Sequence, residues 1–213
     1  VAYTVDMYTT FHNEHIANSQ VKVITPEDAT ENILCYKVPI GVYSKLFNRE
    51  FLVKNNIRFL EDVYIGEGFN FNTACFQRAN KVVMSNERIY FYRRDNEASA
   101  MTKFKEAKCQ MALKAIDIIK ANLVLKSARI EKAWIFAYWH THFDMYCWIV
   151  NDKAKNENVE LYKKCRYVSQ SKAYIAFRVP TKRTERIRGF LGLIAPYIVA
   201  KLMLWRSNRT KSK

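Results

Sequence analysis

From residue 103 onward, long segments with helical periodicity follow one another, and this pattern limits the folds open to the chain. Apolar side chains recur at helical spacing over residues 104–121, 127–150 and 159–169. A last helix is predicted over 181–206, after Pro180 and with Thr181 as its N-cap. The 213 residues include only 5 Gly and 4 Pro, so few boundaries are imposed by helix-breaking residues. A helix-rich structure is therefore expected.

The first hundred residues have a different, mixed pattern. A strand is predicted over residues 1–10 and a polar loop or short helix over 12–31. Helices are predicted at about 44–55 and 66–78. Two short strands, 81–84 and 88–92, follow them. The fold class that results is α/β, with most of the chain helical.

Positive charge is concentrated at the C-terminal end. Residues 161–213 contain 14 Lys and Arg against one acid, Glu185, a net charge of +13, whereas residues 1–160 carry 21 Lys and Arg and 19 acids, a net charge of +2. A localised basic segment is suited to phosphate groups, either those of lipid headgroups or those of nucleic acid.

Cysteine usage indicates a reducing compartment. The five cysteines, at positions 35, 75, 109, 147 and 165, form no Cys-x-x-Cys motif, and most lie in apolar helical patterns. We expect buried, reduced thiols and a cytosolic chain. The sequence has no signal peptide pattern and opens within a predicted strand, so we expect it to be part of a longer protein.

Residues 42–101 contain three consecutive segments with a distinctive order and spacing: SKLFNREFL, NNIRFLEDVYIGEGFNFN and KVVMSNERIYFYRRDNEASAM. Together they resemble the second half of the catalytic domain of family 2 glycosyltransferases of the GT-A type. The resemblance covers roughly residues 1–102. It implies an incomplete GT-A fold at 1–102, and residues 103–213 match only loosely, as the variable helical tail that such enzymes often carry. We expect a helical extension at 103–180 and, from its charge and apolar pattern, a basic amphipathic membrane-associating helix at 181–213.

The resemblance also implies a reaction, the transfer of a sugar with inversion from a nucleotide-diphospho-sugar to a glycan or lipid-linked acceptor in cell-surface polysaccharide synthesis. In that family an N-terminal half holds the donor and a divalent metal, Mg or Mn, through an Asp-x-Asp motif. The present sequence contains no Asp-x-Asp. We therefore expect this chain to bind no metal by itself and to be inactive without a donor-binding half.

The resemblance assigns the general base to the Gly66-Glu67-Gly68 segment. The family usually has Glu-Asp where this chain has Glu67-Gly68, so Glu67 is the candidate base that takes the acceptor's proton, with Asp62 or Glu61 as alternatives. The competing interpretation is that Glu67 is an acid stabilised by the amides at a helix start.

Four further residues are candidates for substrate binding. Arg93 and Arg94 could approach the diphosphate of the donor, or simply be solvated at a strand end. Lys45 could contact substrate or be an exposed helix residue. Tyr43 could stack on a sugar or pack in the core.

The His140-Thr-His-Phe-Asp144 run does not predict a metal site. On a helix, positions 140 and 144 share a face and position 142 points elsewhere. The aromatic residues over 134–148 are interpreted as core, and no cysteine has the surroundings of a nucleophile.

Residues 189–205 form an apolar run interrupted only by Lys201 and Pro196 and flanked on both sides by basic residues. Seventeen residues with two basic flanks favour a helix lying in the membrane interface over a spanning one, and an ordinary packed helix is the third possibility. The interfacial interpretation predicts a peripheral protein on an anionic membrane surface, at the cytoplasmic face of the cell membrane.

Two other functions fit the composition. A basic helical nucleic-acid-binding protein would use the charged tail, although the apolar run between its basic flanks has no role there, and we predict no nucleic acid partner. A non-catalytic membrane adaptor with a glycosyltransferase-like fold would explain the glycine at position 68.

Overall fold

The computed structural model describes residues 1–4, 20–87, 90–91 and 104–211, and its architecture is mostly helical with a small sheet. The described strands are β1 (Ala2–Thr4), β2 (Val21–Ile24), β3 (Lys45–Leu46) and β4 (Val82–Ser85). They form a sheet in the order β2-β4-β1-β3. Strands β1 and β4 are parallel, with Ala2 opposite Val83, and the other two pairings are antiparallel.

The helices follow the predicted pattern closely in the second half of the chain. Their bounds are α1 (Pro26–Leu34), α2 (Arg49–Lys54), α3 (Glu67–Arg78), α4 (Glu106–Ala121), α5 (Ala128–Asn151), α6 (Val159–Ser171), a 3-10 helix (Ala173–Phe177), α7 (Arg183–Ile194) and α8 (Pro196–Lys211). The predicted helices at 66–78, 104–121, 127–150 and 159–169 thus correspond to α3, α4, α5 and α6.

Helix α5 is the centre of the hydrophobic core. Helices α1, α4, α6 and α8 all pack against it. Four of its aromatic side chains, Phe136, Trp139, Phe143 and Tyr146, are at most 1% exposed, and the others, Trp134, Tyr138 and Trp148, are partly buried against the core. The interpretation of the aromatic run as core is confirmed. One continuous apolar cluster includes residues of all three segments proposed from the sequence, and the division at 102 and 180 stays a prediction.

The polar stretch expected as a loop or short helix at 12–31 contains both a strand and a helix in its described part. Thr25 begins α1: its hydroxyl accepts a hydrogen bond from the amide of Asp28 over 3.1 Å, and Pro26 occupies the first turn. Residues 5–19, in which most of the predicted first strand falls, lie outside the described residues. The predicted strand 88–92 is described only at residues 90 and 91.

The helix predicted at 44–55 is wrong in its first half. Ser44 has a left-handed backbone (φ 60°), and Lys45 and Leu46 pair with β1. The helix begins only after Asn48, whose side chain accepts a hydrogen bond from the amide of Phe51 over 2.9 Å. Asn favours this cap because its side chain satisfies an amide that the helix itself leaves unpaired.

The single helix predicted over 181–206 is two helices. Pro196 has no amide hydrogen to donate and restricts the residue before it, so Ala195 leaves helical geometry (φ −143°, ψ 65°) and α7 ends there. The expected N-cap is also wrong. Helix α7 starts after Lys182, and Thr181 instead donates its hydroxyl hydrogen to the carbonyl of Cys35 over 2.9 Å.

All five cysteines are buried and free, as predicted. Burial raises the pKa of each thiol to about 12, so these cysteines are not nucleophiles at neutral pH.

Candidate functional site

The segment 39–45 is joined to α3 by one side chain and braced internally by another. The side-chain amide of Asn72 on α3 donates to the carbonyls of Ile40 and Gly41 over 2.8 and 2.9 Å. The ammonium of Lys45 donates to the carbonyls of Pro39 and Gly41 over 2.8 and 2.7 Å. These four contacts fix the backbone of a turn that has little secondary structure of its own.

Lys45, a candidate for substrate binding, is therefore engaged by the protein's own backbone. It lies in β3 rather than on an exposed helix face, and it is half-buried. Burial lowers the pKa of Lys45 to about 8, which still leaves most of the side chain protonated at neutral pH. In this structure the ammonium organises the turn on which Tyr43 is carried.

Gly68 lies where α3 comes closest to that turn. A Cβ atom added at this position would be 3.3 Å from both the Cα of Gly41 and the backbone nitrogen of Val42. Such contacts are tighter than most Cβ atoms make, and the opposing backbone atoms, which lie on the turn that Asn72 and Lys45 hold, would have to shift by a few tenths of an ångström. The glycine that stands where the resembling family has aspartate is thus explained by close packing.

Glu67 is the first residue of α3 and is half-buried. The residue before it, Gly66, has φ 89° and turns the chain sharply into the helix. The amides of the first helical turn have no partners within the helix, and they favour a carboxylate at this position. The position of Glu67 is therefore compatible with both interpretations, an acid stabilised by the helix start and a catalytic base. The alternative acids Glu61 and Asp62 lie on the preceding turn and are exposed.

An aromatic pair lies on the same turn. The ring of Tyr43 stacks on that of Tyr90, with centroids 5.3 Å apart and an interplanar angle of 21°. Tyr90 is 40% exposed, so the pair is accessible from solvent. Flat aromatic surfaces of this kind suit the apolar faces of sugar rings. Arg93 and Arg94, the candidates for the diphosphate, lie outside the described residues.

Two polar atoms near this turn are buried and unpartnered in the described part of the chain. They are Oγ of Ser44 and Oδ1 of Asn72, and their residues are 4% and 0% exposed. Buried polar atoms nearly always have a partner, either another protein group or an ordered water. The turn that carries Tyr43, Ser44 and Lys45 thus packs on α3 at Gly68 and Asn72, and Glu67 is the helix residue next to Gly68.

A second polar cluster, between α5 and α7, was not predicted from the sequence. Arg188 Nη2 is 2.6 Å from Asp144 Oδ1, and His140 Nδ1 is 3.2 Å from Asp144 Oδ2. The other ring nitrogen of His140 is 3.2 Å from Glu185 Oε2. The ring of Tyr36 covers the imidazole, with centroids 3.8 Å apart. We call His140, Asp144, Glu185 and Arg188 the α5–α7 tetrad.

The tetrad is electrically balanced when His140 is protonated. Burial acts to lower the pKa of His140, but the neighbouring carboxylates outweigh it and raise that pKa above its ordinary value. Burial acts to raise the pKa of Asp144, but Arg188 and His140 outweigh it and lower that pKa. Sequence spacing alone could have indicated each of the two pairs, His140 with Asp144 and Glu185 with Arg188, because residues three or four apart are neighbours on one face of a helix. Nothing in the sequence shows that the two pairs meet.

Among the residues that the structure describes, no three His, Cys, Asp or Glu side chains come together as a metal site. His140 and Asp144 take part in the ion pairs of the tetrad. Within the same residues, no helix combines the length and the apolar character needed to cross a bilayer. No protein-family model matches the sequence, and no curated protein matches it significantly.

Proposed function

We propose that this chain is the acceptor-side part of an inverting family 2 glycosyltransferase of the GT-A type. It acts with a donor-binding half that holds the nucleotide-diphospho-sugar and a divalent metal, because the sequence itself has no Asp-x-Asp. The observation that carries the proposal is the position of Glu67 in the first turn of α3, beside the turn that carries Tyr43.

Glu67 is the general base of the proposed reaction. A sugar hydroxyl is a poor nucleophile until a positioned carboxylate accepts its proton. As the proton moves to Glu67, the acceptor oxygen bonds to the anomeric carbon of the donor on the face opposite the diphosphate. The bond from that carbon to the diphosphate oxygen breaks, and the nucleotide diphosphate leaves with the electron pair. A bound Mg or Mn would neutralise the charge that develops on the leaving group.

The aromatic pair and the fixed turn support acceptor binding. Tyr43 and Tyr90 offer a stacked, partly exposed surface on the segment that packs against the start of α3. Lys45 and Asn72 hold this segment, so the ring of Tyr43 is placed before any sugar arrives. Such preorganisation favours binding because less conformational freedom is lost on association.

The C-terminal helices support a membrane location. Large apolar side chains on α7 and α8 are more than one third exposed; they include Ile187, Phe190, Leu191, Leu193, Ile194, Tyr197, Ile198, Leu202 and Trp205. Basic residues flank them, as expected for a surface that contacts both acyl chains and anionic headgroups. We propose peripheral binding of this pair to the cytoplasmic face of the cell membrane.

The proposal is tested on the protein as its gene encodes it, in cell membranes supplied with a panel of labelled nucleotide sugars. Glu67→Gln keeps the shape of the side chain and removes its basicity, so transfer into glycan or lipid should fall at least a hundredfold. Glu61→Gln and Asp62→Asn, which change exposed acids nearby, should lose less than threefold. Normal transfer by Glu67→Gln would contradict the assignment of the base.

Two binding assays, one with anionic vesicles and one with nucleic acid, combine with the transfer assay to separate the alternative functions. A wild-type protein that binds anionic vesicles but transfers none of the sugars favours the non-catalytic adaptor. A salt-sensitive shift of nucleic acid, without vesicle binding, favours the nucleic-acid-binding protein.

A further inference from the structure

A surface groove of about 580 Å³ runs between the 3-10 helix and the outer face of α7. Its lining includes Phe177, Arg183, Arg186, Ile187, Phe190 and Leu191. None of the residues singled out as candidate sites in the sequence contributes to it. The groove therefore requires an explanation of its own.

The groove is apolar along most of its length. Phe177, Ile187 and Phe190 are 50%, 51% and 54% exposed, and Leu191 is 38% exposed. Positions 187, 190 and 191 share one face of α7, and Phe177 faces them from the 3-10 helix. Large apolar side chains gathered around one concave surface indicate an apolar ligand.

Two cations line the same groove. Arg183 and Arg186 are exposed. Within the described part of the chain, no hydrogen bond or ion pair joins either guanidinium to another group. Arg188, on the same helix, is by contrast buried and paired with Asp144 over 2.6 Å. The arginines that line the groove are thus available to a ligand from outside, and guanidinium is well matched to a phosphate.

The opposite face of α7 is fixed to the protein body. Gly189 packs so closely that an added Cβ would be 2.8 Å from Cβ of Ala176, and at Gly192 it would be 2.7 Å from the ring of Phe143. The α5–α7 tetrad adds ion pairs on that side. The groove is consequently formed by elements held in place by packing, as preformed ligand sites usually are.

We propose that this groove binds one molecule of anionic phospholipid, with its phosphate on Arg183 and Arg186 and an acyl chain along Phe177, Ile187 and Phe190. The inference rests on the proposed membrane location and adds a specific lipid site to it. A free anion would use the arginines and leave the apolar walls uncovered. The bases of a nucleic acid could stack on the phenylalanine rings, but the aliphatic walls at Ile187 and Leu191 are better matched to an acyl chain, so an amphiphile with a negative head complements both parts of the groove.

The test uses dihexanoyl phosphatidylglycerol below its micelle concentration, so that single lipid molecules and not a bilayer surface are presented to the chain. Saturable binding of one lipid per chain is expected by calorimetry, with slower amide exchange over residues 173–191. Dihexanoyl phosphatidylcholine should bind at least fivefold more weakly because its head is neutral overall. Inorganic phosphate and glycerol phosphate should bind at least tenfold more weakly because they lack acyl chains.

Variants assign the two parts of the ligand. Arg183→Gln with Arg186→Gln, and separately Phe190→Ala, should each weaken binding of the short lipid at least fivefold. The matched control is Lys172→Gln with Arg178→Gln, which removes the same charge from exposed positions outside the groove. It should change binding less than twofold. All these side chains are exposed, and an unchanged melting temperature checks that each variant is folded.

Two results would overturn the proposal. One is equal loss of binding in the groove variant and the charge control, which would reduce the effect to net charge. The other is phosphate binding as tight as lipid binding and unaffected by Phe190→Ala. In parallel, sedimentation with vesicles of phosphatidylglycerol and phosphatidylcholine tests the membrane location itself. Vesicle binding that persists in a groove variant that has lost the short lipid is expected, because the apolar side chains of α7 and α8 outside the groove still meet the bilayer, whereas a wild-type chain that ignores vesicles overturns the location on which the site rests.

Discussion

Arg188 on α7 and Asp144 on α5 form an ion pair in which Nη2 donates to Oδ1 over 2.6 Å. The Arg188 side chain is 8% exposed and lies 4.4 Å from the centroid of the Phe143 ring. A guanidinium in this position depends on its carboxylate partners, since a buried charge without compensation is costly. The pair therefore links α7 to α5 through side chains, beside the packing of α7 on the 3-10 helix, α6 and α8.

Replacing Asp144 by Asn should lower the free energy of unfolding by about 3 kcal/mol, the lower end of the range for breaking a buried ion pair, because the Asp144 side chain is still 38% exposed. Asp117→Asn, an exposed acid on α4, is the control and should cost less than about 0.5 kcal/mol. Urea denaturation measures both. The double variant Asp144→Leu with Arg188→Met should recover most of the loss, because neither charge is then left unpaired. Equal stability of Asp144→Asn and Asp117→Asn would contradict the prediction.

His142, two residues beyond His140, should make the fold sensitive to acid. Its residue is 1% exposed, and burial lowers the pKa of His142 to about 4. The unfolded chain takes up a proton near pH 6.5 that the folded chain refuses, so the free energy of unfolding decreases as the pH falls below 6.5. Between pH 7 and pH 5 the loss should be about 2 kcal/mol, at about 1.4 kcal/mol per pKa unit.

The measurement is urea denaturation at several pH values for the wild type and for His142→Phe, which keeps a ring beside Tyr138 and cannot be protonated. The variant should lose the slope between pH 6.5 and pH 5. His140 does not confuse this window: because its folded pKa is raised, its contribution is complete below pH 6.5 and is lost only as the pH rises through the folded pKa. An unchanged slope in His142→Phe would show that His142 is not the cause.

Lys45 should contribute to stability whether or not it contacts a substrate. Its ammonium donates to the carbonyls of Pro39 and Gly41, and Lys45→Met leaves both without that donor. We expect a loss of about 2 kcal/mol, typical of hydrogen bonds to a charged group. Lys54→Met, an exposed lysine in the last turn of α2, is the control and should change little. Thermal unfolding without any sugar distinguishes this role from substrate binding, since a purely substrate-binding lysine would leave the melting temperature unchanged.

The second half of the fold was accessible from the sequence because its helices are long and periodic. Helix α5 follows Ser127, whose hydroxyl accepts a hydrogen bond from the amide of Ile130, and its bounds agree with the predicted range of 127–150 to within about one residue. The first half was less accessible because its elements are short. The predicted helix over 44–55 failed because pairing of Lys45 with β1, a long-range contact, overrode the helical spacing of the apolar residues.

The candidate site was only partly predictable for the same reason. The resemblance singled out Glu67, and the structure locates it in the first turn of α3. The tetrad was not predicted, because it forms only where two helices about 40 residues apart in sequence come together. Local residue spacing does not show which helices lie side by side. The groove on α7 was not predicted, because it depends on how Phe177 of the 3-10 helix lies beside α7. The sequence also predicted α7 and α8 as one helix.

Gly68→Ala tests the close packing between α3 and the turn at residues 40–42. Alanine in a helix is ordinarily about 1 kcal/mol better than glycine, but here the added Cβ meets the backbone of Gly41 and Val42 at 3.3 Å. Overpacking costs about 1–3 kcal/mol, so we expect a net loss of about 1 kcal/mol. Gly68→Asp, which restores the residue usual in the resembling family, should lose more and should not increase sugar transfer. Chemical denaturation measures the stability of both variants, and the transfer assay on the encoded protein measures their activity. A Gly68→Ala variant more stable than the wild type would contradict the prediction, because it would show that the turn can shift to accommodate a side chain.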